Sequence, residues 1–120
     1  LHRWISDVAL TQLGIPLSDT ERINRLPQIM ACCIIFDFTN PKGLAIFEEW
    51  KKHSLDGISF ANHGSQREGF IAHRHDQAIL SYLVYKAGIS FLPYGKLVYL
   101  PHHETKEYGD DIYFLNKGID

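Results

Sequence analysis

Cysteine is scarce: Cys32 and Cys33 are the only two in 120 residues, and they stand side by side. Adjacent cysteines do not readily bridge each other and no third is present, so a disulfide framework has nothing to be built from. Both fall in an apolar run, where they read as buried free thiols, a usage that fits a reducing compartment. Excess charge is also missing. Twelve Lys and Arg against fourteen Asp and Glu leave a net charge of −2, with no basic stripe to release counterions, which argues against nucleic acid as the main partner. No apolar stretch is long enough to span a bilayer and no signal peptide is visible. A glycine-rich phosphate loop, an internal repeat, a low-complexity tract and a domain linker are all lacking. What remains is one domain with apolar content for one core. The chain starts at Leu1 rather than methionine, which we read as a piece of something longer or a processed product; the missing targeting segment therefore says little about the parent.

Taken in order, Arg3 to Leu13 predicts a short amphipathic helix with Trp4, Val8 and Leu13 on one side and Gly14 ending it. Residues 15–20 form a loop, Glu21 to Leu26 is ambiguous with a turn of helix, and Pro27 closes it because a proline pushes its predecessor out of the helical region. Ile29 to Phe36 is a continuous apolar run, which suits a strand from Gln28 to Phe38 buried on both faces of a sheet. Asn40-Pro41 then opens a helix to about His53 with Leu44, Phe47 and Trp50 as its buried stripe. Ser54 to Gly69 is a long polar loop of the kind that often carries function. The central helix follows, with Ile79, Leu80, Leu83, Val84 and Ala87 at helical spacing and Gly88 as its stop. Short strands are expected at Ser90–Leu92, Lys96–Leu100 and Ile112–Leu115, around a Pro93-Tyr94-Gly95 turn. This order predicts an α/β fold, a mixed sheet flanked by helices.

The chemistry concentrates in His73-Arg74-His75-Asp76-Gln77, five polar residues at the entrance of an apolar helix. Asp76 is the candidate catalytic residue. A carboxylate there can accept a proton or hold a sugar diol, and it can equally serve the free N–H groups of a helix start. Alternation on an extended lead-in sets His73 and His75 on one side and Arg74 on the other. The planar fork of Arg74 suits a diphosphate or a carboxylate. Gln77 and Gln28, the latter at the start of the apolar run, are further candidate substrate contacts. Trp50 can stack on a sugar ring but lies on an apolar stripe and reads as core.

The run His-Arg-His-Asp-Gln followed by Ile79-Leu80-Ser81-Tyr82-Leu83 resembles the C-terminal part of a family of nucleotide-sugar-dependent glycosyltransferases. Pro27-Gln28-Ile29 with its apolar run and Phe47-Glu48-Glu49-Trp50 extend the likeness, which covers roughly Trp4 to Ile89. The resemblance implies the second half of a GT-A nucleotide-diphospho-sugar transferase fold, a sheet sandwiched by helices, with residues 1–120 as a single partial domain. It implies sugar transfer from a nucleotide-sugar donor to a glycan or other hydroxyl acceptor, Asp76 as the central residue, and His73, Arg74, His75, Gln77 and Gln28 near substrate. Metal-dependent members carry an Asp-x-Asp motif; none is found here, since Asp37-Phe38-Thr39 lacks the second acid and Asp110-Asp111 is unspaced. No cofactor site is thus evident in this sequence; the resemblance leaves room for a divalent cation, Mn or Mg, in the full-length protein, where His102 or His103 is a candidate to complete its site. A half-domain leaves a sheet edge or apolar face uncovered, which predicts self-association.

Two other readings stand beside this one. A non-catalytic carbohydrate-binding or remnant domain keeps the helix without the enzyme. A zinc hydrolase is suggested by two histidines one apart followed by an acid, with His102-His103-Glu104 as further ligands, but the acid follows the second histidine directly and no histidine comes after it.

Overall fold

The computed structural model describes residues 1–31, 34–90, 98–99 and 114–115. The chain divides into two units, Leu1–Ile89 and Ser90–Asp120. Every regular element described in the first unit is helical: a 3-10 turn at His2–Trp4, α1 (Asp7–Gln12), α2 (Thr20–Arg25), α3 (Pro41–Leu55) and α4 (His75–Lys86). In the second unit a two-residue strand β1 (Val98–Tyr99) pairs in parallel with β2 (Phe114–Leu115).

Local chemistry explains the helix ends. The hydroxyl of Ser6 accepts from the Ala9 N–H at 3.2 Å, and Asp19 Oδ1 accepts from the Arg22 N–H at 3.1 Å. Asn40 Oδ1 caps α3 through the Lys42 N–H at 2.9 Å, with Pro41 in the first turn. The C-termini of α1 and α4 share one geometry. Gly14 and Gly88 both have positive φ, +69° and +68°. In α1 the Gly14 N–H donates to the Thr11 carbonyl and the Ile15 N–H to Leu10; in α4 the Gly88 N–H donates to Tyr85 and the Ile89 N–H to Val84. These are the paired bonds of a Schellman stop, which needs a residue without Cβ at the left-handed position. Leu26, ahead of Pro27, is extended at ψ 123° and ends α2.

The single helix expected over Arg3–Leu13 is broken. Ser6 is extended and serves as the cap of α1, so the 3-10 turn and α1 are separate. The buried apolar residues there are Ile5, Ala9 and Leu10, in place of Trp4, Val8 and Leu13. In α3 the fully buried residue is Ile46; Leu44 is exposed, while Phe47 and Trp50 are half-buried in an aromatic cluster with Phe36 and Phe60.

α4 is the centre of the first unit. Ala78 through Leu83 are buried without interruption, against Ile5, Leu10, Ile15, Ile23 and Ile46. Ile79, Leu80 and Leu83 lie in the expected stripe, and Ser81 and Tyr82 are buried beside them. Each large apolar side chain so buried contributes roughly 1.5–3 kcal/mol, more than the ~0.7 kcal/mol that helix propensity spans at one ordinary position.

Among the described residues the expected mixed α/β sheet flanked by helices is not formed: the Leu1–Ile89 unit is helical, which overturns the GT-A sandwich. The described residues of Gln28–Phe38 join no ladder, and Ile35 is 82% exposed. Cys32 and Cys33 lie outside the described residues. A continuous apolar run does not by itself distinguish a sheet strand from a segment packed on helices. Here Ile29 and Ile34 lean on the helical core. Of the expected strands at Lys96–Leu100 and Ile112–Leu115, the described residues are those of β1 and β2, which pair with each other; the other positions lie outside the described residues. Ser90 is not in a strand; Phe91, Leu92 and the Pro93-Tyr94-Gly95 turn lie outside the described residues. Among the described residues no helix is long and apolar enough to cross a membrane.

Candidate functional site

The polar run is built where the chain enters α4. Its lead-in lies along the first residues of the unit: the Ile71 N–H donates to the Arg3 carbonyl and the Arg74 N–H to the Trp4 carbonyl, both at 2.9 Å. Side chains then alternate as the sequence predicts. His73 and His75 face each other edge to face with ring centroids 5.3 Å apart, while Arg74 turns the other way and sets its guanidinium 4.5 Å from the centre of the Trp4 ring.

His73 is 3% exposed, and both ring nitrogens are used. Nε2–H donates to the Ser59 carbonyl at 2.8 Å, and Nδ1 accepts from the Ser6 N–H at 3.3 Å. That pair of bonds defines the neutral Nε2–H tautomer. Burial, together with the nearby imidazoles of His75 and His63, pushes the His73 pKa below the usual histidine range, against the hydrogen bond to Ser59. His75 is exposed; its Nδ1–H donates to the Phe60 carbonyl at 2.8 Å, and its backbone sits at φ +34°. For a residue with a Cβ this is a strained conformation, held by the contacts around it.

Gln77 is half-buried and donates through Nε2 to the Ile29 carbonyl at 2.6 Å. One turn later Ser81 Oγ accepts from the Ile29 N–H at 3.1 Å and donates to the Gln77 carbonyl at 2.6 Å. Two α4 side chains thus satisfy both backbone groups of Ile29, doing what a neighbouring strand does in a sheet. Gln28 lies beside this clamp, half-buried, and makes no side-chain hydrogen bond among the described residues.

Asp76 is different. Its carbonyl accepts from the Trp50 indole N–H at 3.1 Å, but its carboxylate is exposed and makes no hydrogen bond among the described residues. No side chain caps α4 through a hydrogen bond, so the acid lies in the first turn without the local bonds of a cap. The structure therefore brings His73, His75, Asp76 and Gln77 to one helix entrance, with Arg74 on the opposite side and Gln28 next to Gln77's partner.

For zinc, His73 has no nitrogen lone pair to offer, and among the described residues no three His, Cys, Asp or Glu side chains are grouped to hold an ion. His102, His103, Glu104, Asp110 and Asp111 lie outside the described residues. A serine, a histidine and an aspartate also meet after α3. Ser59 Oγ donates to Asp56 Oδ2, and His53 Nδ1 lies 2.9 Å from the same hydroxyl. The serine is fully buried and gives its proton to the aspartate rather than to the histidine, which itself lies 3.5 Å from Asp56 Oδ2, the wrong arrangement for an activated nucleophile. Asp56 also accepts from the Ile58 and Ser59 N–H groups, each at 2.7 Å. Burial opposes its charge, but the bonds from Ser59 and Ile58 outweigh that and hold its pKa below the usual carboxylate range. This is a turn lock that aims the Ser59 carbonyl at His73. A shallow depression lined by Glu48, Lys51, Lys52, Leu55 and Asp56 shares no residue with the polar run.

Three contributors escaped the sequence reading. Ser6 and Ser59 anchor His73, and Ser81 completes the clamp on Ile29. Asp56-Gly57-Ile58-Ser59 carries turn chemistry that a closer reading of the long loop finds; Ser6 and Ser81 give no local signal of these partners. Matching against protein-family models, curated proteins and solved structures finds no relative of this chain in any of the three.

Proposed function

We propose that this chain carries the sugar-handling part of a nucleotide-sugar-dependent glycosyltransferase, with Asp76 as its reacting carboxylate. The supporting observation is a contrast within five consecutive residues. His73, Arg74, His75 and Gln77 each spend the side chain on a contact within the fold, and Asp76 does not. A carboxylate with no structural bond, on a helix entrance whose neighbours are pinned and whose preceding residue is strained, is arranged for a ligand. In an inverting transfer Asp76 takes the proton of the acceptor hydroxyl as its oxygen bonds to the anomeric carbon and the bond to the nucleotide diphosphate breaks. In a retaining transfer it holds sugar hydroxyls. The reading rests on the polar run and its flanks, since the helical Leu1–Ile89 unit supplies no sheet framework for it.

The test compares the natural full-length protein with its Asp76→Asn variant, which keeps shape and removes charge. Donor hydrolysis and transfer are measured across a panel of nucleotide sugars, with and without Mn²⁺. Turnover is expected to fall roughly 100-fold or more while donor binding and melting temperature hold. Equal turnover in the two proteins, or a variant that loses activity only because it unfolds, overturns the assignment. Sugar binding that depends on Asp76 without any turnover in the wild type supports instead a carbohydrate-binding domain.

A further inference from the structure

We propose that His73 is a proton-operated clasp that sets whether the support beneath Asp76 is rigid or loose. The ring joins three parts of the Leu1–Ile89 unit: the start of α1 through the Ser6 N–H, the turn after α3 through the Ser59 carbonyl, and the entrance of α4 through its own backbone. Its partners lie 67 and 14 residues away, and the bonds of Ile71 to Arg3, Arg74 to Trp4 and His75 to Phe60 flank it on the same segments. In the neutral Nε2–H tautomer each nitrogen meets its complement. A second proton goes to Nδ1, which then points a donor at the Ser6 donor, and that bond is lost.

The surroundings give the imidazolium no counter-charge. The titratable groups facing the ring are other imidazoles, His75 at 5.3 Å between centroids and His63, whose Nε2 is itself buried without a partner among the described residues. Beyond Ser59 stand Asp56, engaged by Ser59 and Ile58, and His53. Beside Ser6 stands Asp7, engaged by Ser65, Gln66 and Arg67. On the same run Arg74 is stacked on Trp4, and Asp76 is turned to solvent. Protonation therefore opens the Ser6 side of the clasp: the α4 entrance loses its His73 tie to the start of α1, while the Nε2–H bond to the Ser59 carbonyl stays. Under the glycosyltransferase reading, acid disarms the site by loosening Asp76; the clasp itself is independent of that reading.

The molecule carries its own reporters. Its two tryptophans are both at this entrance, Trp4 beneath Arg74 and Trp50 bonded to the Asp76 carbonyl. The experiment follows tryptophan emission of the full chain from pH 8 to pH 5 in the wild type and in His73→Gln, His75→Gln and His63→Gln. The wild type is expected to show a reversible one-proton red shift with its midpoint below the usual histidine range. His73→Gln, which hydrogen-bonds but does not titrate, is expected to be flat. His75→Gln and His63→Gln are expected to keep the transition with its midpoint raised, because a competing positive charge is gone. A flat wild type, or an unchanged transition in His73→Gln, overturns the proposal. Should His73→Gln fail to fold by far-ultraviolet circular dichroism, ring ¹⁵N shifts of wild-type His73 decide: the Nε2–H tautomer titrating below the usual range supports the clasp, and the Nδ1–H tautomer or an unshifted titration overturns it. No readout uses turnover, so failure of the clasp and failure of the transferase reading are told apart.

Discussion

At positions 73, 75 and 77 the side chains reach back to the carbonyl oxygens of Ser59, Phe60 and Ile29, and the residues between them are left for other work. The same economy appears at Asp7. Its carboxylate accepts from Ser65 Oγ at 2.6 Å, the Gln66 N–H at 3.1 Å and Arg67 Nε at 2.6 Å, while Arg67 goes on to the carbonyls of His2 and Ile5. Burial disfavours the charged acid, but the bonds from Ser65, Arg67 and Gln66 outweigh it and lower the Asp7 pKa. Two acid limbs of stability follow. A histidine whose folded pKa is depressed contributes stability that is whole above its unfolded value, about 6.5, and is lost as pH falls from there toward the folded value. A depressed aspartate contributes stability that is whole above about 3.9 and is lost below it. Urea unfolding at pH 7, 5 and 3 is expected to show both steps. Asp7→Asn is expected to shrink the lower step and to cost about 1–3 kcal/mol at pH 7, because Arg67 keeps its burial and loses its charged partner; an unchanged profile means the pair contributes nothing.

At the scale of elements, α3 offers a direct check on its first turn. The loop ahead of it folds back so that the Asn40 N–H donates to the Asp37 carbonyl at 3.2 Å. A Cβ on Gly43 meets that same carbonyl oxygen at 2.5 Å. In an ordinary helix interior Gly→Ala gains about 1 kcal/mol. Here backbone must move to admit the methyl, at a cost of roughly 1–3 kcal/mol. Gly43→Ala is therefore expected to lower the melting temperature, and a higher one means the Asp37–Asn40 loop does not rest on the helix. The helix ends were legible in the sequence for a related reason. Asn40-Pro41, Gly14 and Gly88 act through their own backbone and one turn of neighbours, so residue type alone announces them. The break at Ser6 was legible only in part: a serine ahead of Asp7 is a cap signal, and the amphipathic pattern across Arg3–Leu13 masked it.

Across the molecule, the apolar run from Ile29 to Phe36 leaves the strongest mark on behaviour. Ile35 and Phe38 are exposed, and Leu44 at the start of α3 is exposed as well. Exposed apolar side chains on a segment whose described residues join no ladder favour association with other chains. Sedimentation velocity is expected to show concentration-dependent self-association that Ile35→Lys reduces with little change in melting temperature, since Ile35 supports no core. A monomer at every concentration tested removes the expectation.

The sequence by itself determined the start of α3 and the stops of α1 and α4, that α4 lies at the centre, and that the polar run alternates its side chains at the helix entrance. These follow from backbone preference and side-chain period, which act over a few residues. Only the tertiary structure decided whether the apolar run would pair as a strand and what His73, Gln77 and Arg67 would hold. Their partners, Ser6, Ile29 and Asp7, lie 67, 48 and 60 positions away. A donor settles on whichever acceptor the packed core brings within about 3 Å, and nothing in the local sequence states which that is.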